Sequence, residues 1–276
     1  VKEFFIFCSP LFVFNVIAIA IGLFDIWLLQ SIRGSVQTGF YGLAYSIAAM
    51  CFLFTSAMTP IISREFAKSF AENDLGRVRD LFKKYIPMLY AISAYFSVFI
   101  AFQADNLLLI FTDEKFKDAL FVLIIMAFYP IHQTYGQLSS SLFFATNATK
   151  LYKNIGLVSS FIGLIFSYIF IYHLELGALG FGAKMVLAQI IGVNIQLYFN
   201  TKVLNLKMSS FVIHQIYTIV VFAIFAYLSS IILDFDKILV EFLVSGFIYT
   251  IFVLIFLILF PQIISVKREE LLNLTK

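Results

Sequence analysis

About eight apolar stretches, each of roughly 20 residues or more, follow one another along this chain with only short polar loops between them. Together they take up nearly all of its 276 residues. With 62% hydrophobic and only 13% charged residues, there is too little polar surface to clothe a water-soluble globule, so lipid is the solvent in which the chain folds. In lipid every backbone N–H and C=O has to be paired internally, which leaves helices and closed barrels as the spanning structures. Barrel strands alternate apolar and polar residues over about ten positions, whereas a run such as Ile248 to Phe260 is apolar on every side. The sequence therefore predicts an all-α fold, a polytopic membrane helix bundle. Its spans fall at about residues 5–31, 39–63, 85–103, 119–145, 154–173, 177–200, 209–233 and 238–264.

Lys2 followed by a hydrophobic run has the look of a signal peptide. The run is too long for one, lacks a small-residue cleavage pattern and leads into further spans, so it is read as retained. Cys8 and Cys51 fall inside spans and read as small apolar residues. Sorting Lys and Arg by alternate loops is lopsided. Lys2, Arg64, Lys68, Arg77, Arg79, Lys83, Lys84, Lys150, Lys153, Lys202, Lys207, Lys267, Arg268 and Lys276 go with one side. Arg33, Lys115, Lys117 and Lys237 go with the other. By the positive-inside rule both termini are expected in the cytoplasm. The net charge of +3 then reflects topology, and no nucleic-acid partner is expected. The far side is acidic, with Asp105, Asp113, Glu114, Asp118, Glu175, Asp234, Asp236 and Glu241. Its loops, at most about fifteen residues, are too short to fold a catalytic domain. No Gly-rich phosphate loop, nucleophile constellation or Cys/His metal cluster stands out, which argues against an enzyme, and no catalytic or metal-binding residues are expected.

An ionisable side chain at mid-membrane costs about 2.5–3.5 kcal/mol on insertion scales, so each one marks a candidate site. Asp25 and Lys184 both fall roughly 10 Å below the expected outer surface, at 1.5 Å per residue. They are placed to pair, either as a charged element of a lumen or as a fixed clamp between the first and sixth spans. The fourth span carries Tyr129, Pro130, His132, Gln133, Thr134, Gln137 and Ser139 to Ser141. A spacing of four puts Tyr129, Gln133 and Gln137 on one face, turned to a water-filled cavity or to a neighbouring helix, and Pro130 is expected to bend the helix. Gln189 and Gln196 share a face of the sixth span, whose Gly177, Gly180, Gly182, Ala183 and Gly192 suit close helix packing. The loop from Arg64 to Lys84, with Phe66, Phe70, Val78, Leu81 and Phe82 among basic residues, predicts a pair of interfacial amphipathic helices held to anionic membrane lipid and broken near Asn73, Asp74 and Gly76. The sequons at Asn147 and Asn273 fall on the cytoplasmic side and carry no information.

Several stretches in order resemble the Wzx-type oligosaccharide flippases of the multidrug/oligosaccharidyl-lipid/polysaccharide exporter superfamily. They are Pro10 to Asp25 with Leu28 and Leu29, Gly39 to Ala44, Pro60, Asn73 to Phe82, Leu108 to Phe111, Phe116 to Leu120, Leu142 to Lys150 and Leu176 to Ala183. The resemblance covers roughly residues 1–200. Such transporters have two six-helix lobes that rock about a central cavity, and many add two helices after the second lobe. The resemblance implies that residues 1–200 form the second lobe and residues 201–276 the additional helices and a cytoplasmic tail. The first lobe is missing and the chain opens on Val1 rather than Met, so a fragment of a longer transporter is the expectation, completed by an N-terminal lobe or a second copy.

The resemblance implies transport of an undecaprenyl-diphosphate-linked oligosaccharide across the bacterial cytoplasmic (inner) membrane, for O-antigen lipopolysaccharide or another surface polysaccharide. Arg33 and Lys184 become the candidates to meet the diphosphate, and Tyr129, His132, Gln133, Gln137 and Gln189 the further lumen candidates. Asp25 tunes Lys184 or takes part in coupling to H+ or Na+, and no cofactor is expected. A cation-coupled multidrug and toxin extrusion antiporter, with Asp25 as its carboxylate, and a membrane enzyme of glycan assembly are the alternative readings.

Overall fold

A computed structural model describes residues 2–231 and 235–265, and among these there is no strand. Asp234, the basic residues Lys267, Arg268 and Lys276 and the sequon at Asn273 lie outside the described residues. The helices are α1 (Lys2–Ala49), α2 (Leu53–Ala71), α3 (Leu75–Phe102), α4 (Ala104–Phe111), α5 (Leu120–Met126), α6 (Tyr129–Ala145), α7 (Thr149–Phe166), α8 (Gly177–Val203), α9 (Met208–Ile231) and α10 (Ile238–Leu259). Seven helical stretches are long and apolar enough to cross a membrane, the first running from Lys2 to Ala71.

That first stretch changes direction at Gly34, whose φ of 78° and ψ of 178° are non-helical; without a Cβ, glycine reaches this conformation at little steric cost. The contacts on either side give the directions. Phe14 meets Tyr152, Asp25 meets Ser167, and Arg33 meets Glu175, so the first leg runs parallel to α7. Beyond the turn, Gln37 meets Ala178 and Tyr41 meets Phe181, so the second leg follows α8. The α7 and α8 helices are antiparallel, Gly163 facing Lys184 and Gly192 facing Ser159. The two legs therefore run in opposite directions, and the first stretch supplies two of the spans. With the other six stretches the described residues hold eight apolar helical legs, in number the eight spans the hydropathy pattern predicts.

Elsewhere the helix ends follow local chemistry. Pro130 lacks an N–H and cannot sit deep inside a helix without breaking its ladder. It occupies the first turn of α6, and the predicted fourth span is divided there into α5 and α6. Asp74 caps α3, its Oδ1 accepting from the Arg77 N–H at 2.8 Å. The last turns of the α7 span, Ser167–His173, are π-helical, a form that inserts an extra residue per turn and concentrates at functional sites.

The basic loop departs from the sequence expectation. Only residues 72–74 interrupt the helix between α2 and α3, and α3 runs unbroken for 28 residues. Phe66, Val78 and Phe82 are fully buried in protein. Phe82 stacks edge-on against Phe211 of α9 at 5.5 Å, and Arg79 Nε donates to the Leu204 carbonyl at 2.8 Å. The amphipathic faces meet each other and α9 instead of lipid, because two antiparallel apolar faces joined by a three-residue turn bury each other first. A feature that hydropathy read as loop also takes shape at the acidic end. Helix α4 buries Leu107 and Leu108 in a cluster with Val122, Leu123, Phe40 and Ala44.

The α9 and α10 helices pack on α3, not on the far side of α8. Tyr249 stacks on Tyr95 at 5.0 Å and on Phe99 at 5.3 Å, and its hydroxyl donates to the Tyr95 carbonyl at 3.0 Å.

Candidate functional site

On the side opposite α10, the first leg of α1 and the helices α6, α7 and α8 enclose a cavity of about 470 Å³. Its room comes from small residues. Gly22, Gly136, Gly156, Gly163 and Gly192 all line it, and Ser159 and Ser160 face it from α7. The walls approach closely at two of these positions: a Cβ on Gly192 would lie 2.7 Å from Ser159 Oγ, and one on Gly156 would lie 2.4 Å from the Phe14 ring, so either side chain would have to move aside.

Apolar side chains, among them Phe14, Ile21, Phe181 and Met185, share the lining with amides, hydroxyls and one pair of charges. From α6 come Tyr129, Gln133, Gln137 and Ser140; from α8 come Lys184, Gln189 and Gln196; Asp25 and Tyr41 enter from the two legs of α1, and Tyr152 from α7. Lys184 and Gln196 are twelve residues apart on one helix, so the lining extends about 18 Å along α8. Gln189 Nε2 donates to Gln133 Oε1 at 2.6 Å, and the Tyr129 hydroxyl reaches the same oxygen at 3.4 Å. The two amide-bearing walls are thereby tied across the cavity.

The charges sit towards the acidic end. Asp25 is 1% exposed and Lys184 6% exposed, and the Lys184 ammonium donates to Asp25 Oδ2. The other carboxylate oxygen accepts from Ser167 Oγ at 2.6 Å, at the first residue of the π-helical segment. The Lys184 Nζ lies 5.5 Å from the centre of the Phe181 ring, which itself packs on Tyr41 at 4.2 Å. Ionised groups taken out of water are tolerated when paired and hydrogen-bonded, and both conditions are met here. The pair joins the first leg of α1 to α8 and borders the cavity.

Asp25, Tyr129, Gln133, Gln137, Lys184 and Gln189 are thus brought together around one space. Two candidates are not. Arg33 lies at the acidic end of the bundle, outside the cavity, where Nη1 pairs with Glu175 Oε2 at 3.3 Å with both side chains substantially exposed. Eight residues past Asp25, it stands about 12 Å further along the helix. His132 is off the cavity face as well. It follows Tyr129 by three residues and precedes Gln133 by one, so its ring turns into the bundle and packs edge-on against Tyr90 at 6.0 Å.

The sequence reading also missed lining residues. Tyr152, Gly156, Ser159, Ser160 and Gly163 form a stripe at helical spacing on α7, a small and polar face that the apolar bulk of that span hid. Tyr41 was missed because its side of the helix is fixed only by the reversal at Gly34. Compared with models of known families and with curated proteins, the chain finds no match in either.

Proposed function

We propose that this chain is one lobe of an alternating-access transporter that moves an undecaprenyl-diphosphate-linked oligosaccharide across a bacterial cytoplasmic membrane, for O-antigen or another surface polysaccharide, with both termini on the cytoplasmic side. The observation that carries the reading is the cavity among α1, α6, α7 and α8, which is lined by amides and hydroxyls and holds a buried ammonium beside a carboxylate. Sugars are bound by side chains that both donate and accept hydrogen bonds, and Gln133, Gln137, Gln189, Tyr129 and Ser140 supply them. A diphosphate asks for a cation, and Lys184 is the cation in the wall. Asp25 holds it while the site is empty, so arrival of an anion exchanges one partner of Lys184 for another and frees the first leg of α1 from α8. That exchange links occupancy to helix position.

A volume of about 470 Å³ lies within the roughly 300–1,000 Å³ of small-ligand sites, enough for the sugars nearest the diphosphate. Rocking of one repeat against another needs a second wall, which a companion lobe or a second copy provides.

The test is transport of a fluorescent lipid-linked oligosaccharide by the whole transporter in proteoliposomes. Asp25→Asn and Lys184→Ala are expected to reduce it at least tenfold at equal protein abundance, while unchanged transport in both variants would sink the reading. One observation favours the antiporter as a second reading: Asp25 sits near the aromatic pair Tyr41 and Phe181, a setting suited to an organic cation. Uptake of a cationic dye driven by a proton or Na+ gradient in the same vesicles, with the oligosaccharide inert, would choose it.

A further inference from the structure

At the basic end of the bundle, remote from the site just described, α3, the turn between α8 and α9, the first turns of α9 and the 3-10 turn Pro261–Ile264 surround a second polar cavity of about 510 Å³. Among the described residues its wall contains Lys83 from α3 and Lys207 from the turn, and no carboxylate. Neither lysine pairs with an acid among the described residues, and both are exposed. Between them stand groups suited to oxygen ligands, the amides of Asn205 and Gln262, while the Ser210 hydroxyl donates to the Lys207 carbonyl at 2.8 Å. Helix α9 starts at Met208, directly after Lys207, so the positive end of a 24-residue helix dipole lies in the same wall.

The cavity is rigidly framed. Arg79 Nε donates to the Leu204 carbonyl at 2.8 Å, fixing α3 to the turn, and Phe82 packs on Phe211. His214 Nε2 lies 2.6 Å from the Ile263 carbonyl, which only accepts, so the ring donates and holds the 3-10 turn in place. Pro87, one turn beyond Lys83, and Phe211 give the floor an apolar surface. Two cations, neutral donors and an apolar floor at the level where α3 enters its apolar stretch match a phosphate group attached to something greasy.

We propose that this cavity binds a phosphate-type anion at the basic face of the bundle, with Lys83 and Lys207 as its cationic contacts and Asn205 and Gln262 as neutral donors. The group comes from a membrane phospholipid headgroup or from a soluble phosphate, and the two sources are separable. Titrate the intact protein with phosphatidylglycerol and with phosphatidylcholine in nanodiscs, following retained lipid by native mass spectrometry, and repeat with inorganic phosphate as competitor. The wild type is expected to retain phosphatidylglycerol in preference, and Lys83→Gln with Lys207→Gln to weaken retention roughly 25-fold, since each basic residue near the surface contributes about fivefold. Lys83→Arg with Lys207→Arg keeps the charge and should keep the lipid, which separates loss of the site from loss of the fold. Lys115→Gln with Lys117→Gln removes equal charge from the other end and should change nothing. Displacement by inorganic phosphate supports a site for the phosphate group itself, and resistance to it supports a lipid-borne one. Equal retention of both lipids together with no phosphate binding, or an equal loss in the Lys115 and Lys117 variant, would overturn the proposal.

Discussion

The two sides of the bundle are built from the same kind of helix and come out opposite. Where α3 meets α9 and α10, rings stack on rings: Tyr249 packs on Tyr95 and Phe99, the Tyr95 hydroxyl meets Thr250 Oγ1 at 2.6 Å, and Phe222 and Val253 are buried beside them. Where α1 meets α7 and α8, glycines and serines bring backbones together at some levels and leave an open polar space at others. In a bilayer the lipid tails are as apolar as the helices, so association rests on packing and polar contacts and not on escape from water. Large flat rings satisfy the packing requirement, and the space left beside them, about 330 Å³ lined by Tyr95, Phe96, Phe222 and Val253, is almost wholly apolar. Small residues bring helices close while leaving hydrogen-bonding groups facing one another, and that choice leaves a space able to meet a polar ligand.

The contrast breaks most severely at the charge pair. Removing one partner leaves the other charged and buried, so Asp25→Asn or Lys184→Met alone should cost about 3–5 kcal/mol. The double variant should recover most of that loss in thermal unfolding in detergent, and additive losses would show that the two do not act as a unit. On the aromatic side, Tyr249→Ala removes the ring shared by two stacks, and about 3 kcal/mol is the expected cost. Its effect on transport should follow protein abundance alone, measured as rate per folded molecule. Gly180→Ala tests close approach. The new Cβ would lie 2.9 Å from the Phe170 carbonyl, which is backbone and cannot swing aside, so a loss of about 1–3 kcal/mol is expected. Gln189→Leu sharpens the comparison from the opposite direction. It should lower the melting point little, about 1 kcal/mol in free energy, while transport falls more than it does for any substitution on the aromatic side. The smallest effect belongs to Arg33→Gln. Its pair with Glu175 is solvent-facing, and within about 1 kcal/mol stability should not change; a strong transport defect at normal abundance would return Arg33 to the site.

The spans were legible because lipid allows almost nothing else: apolar length fixes a crossing and polar interruptions fix its ends. The face shared by Tyr129, Gln133 and Gln137 was legible from helical spacing, and the meeting of Asp25 with Lys184 from equal depth. His132 and Arg33 were misplaced for geometric reasons. Nomination by polarity ignores a 100° rotation per residue in the first case and about two turns of helix in the second. Phe66, Val78 and Phe82 read as a membrane-surface face because an apolar stripe looks the same whether its partner is lipid or a neighbouring helix, and only the proximity of α9 decides. The stripe on α7 was present in the letters but diluted by aliphatic neighbours. The basic cavity was the least legible of all, because it draws on α3, a turn and a segment far apart in the chain.

The reversal at Gly34 has a consequence for anyone charting this protein from outside. Other reversals at that end offer residues 112–118 or 235–237 to a protease, a tag or a labelling reagent. The first one offers a single glycine between two helical legs, with Arg33 and Gln37 already engaged by residues of the neighbouring hairpin. An inserted reporter there would have to unwind helix to make its own room, so insertion scanning is expected to miss this reversal and to count one helical stretch where two legs stand.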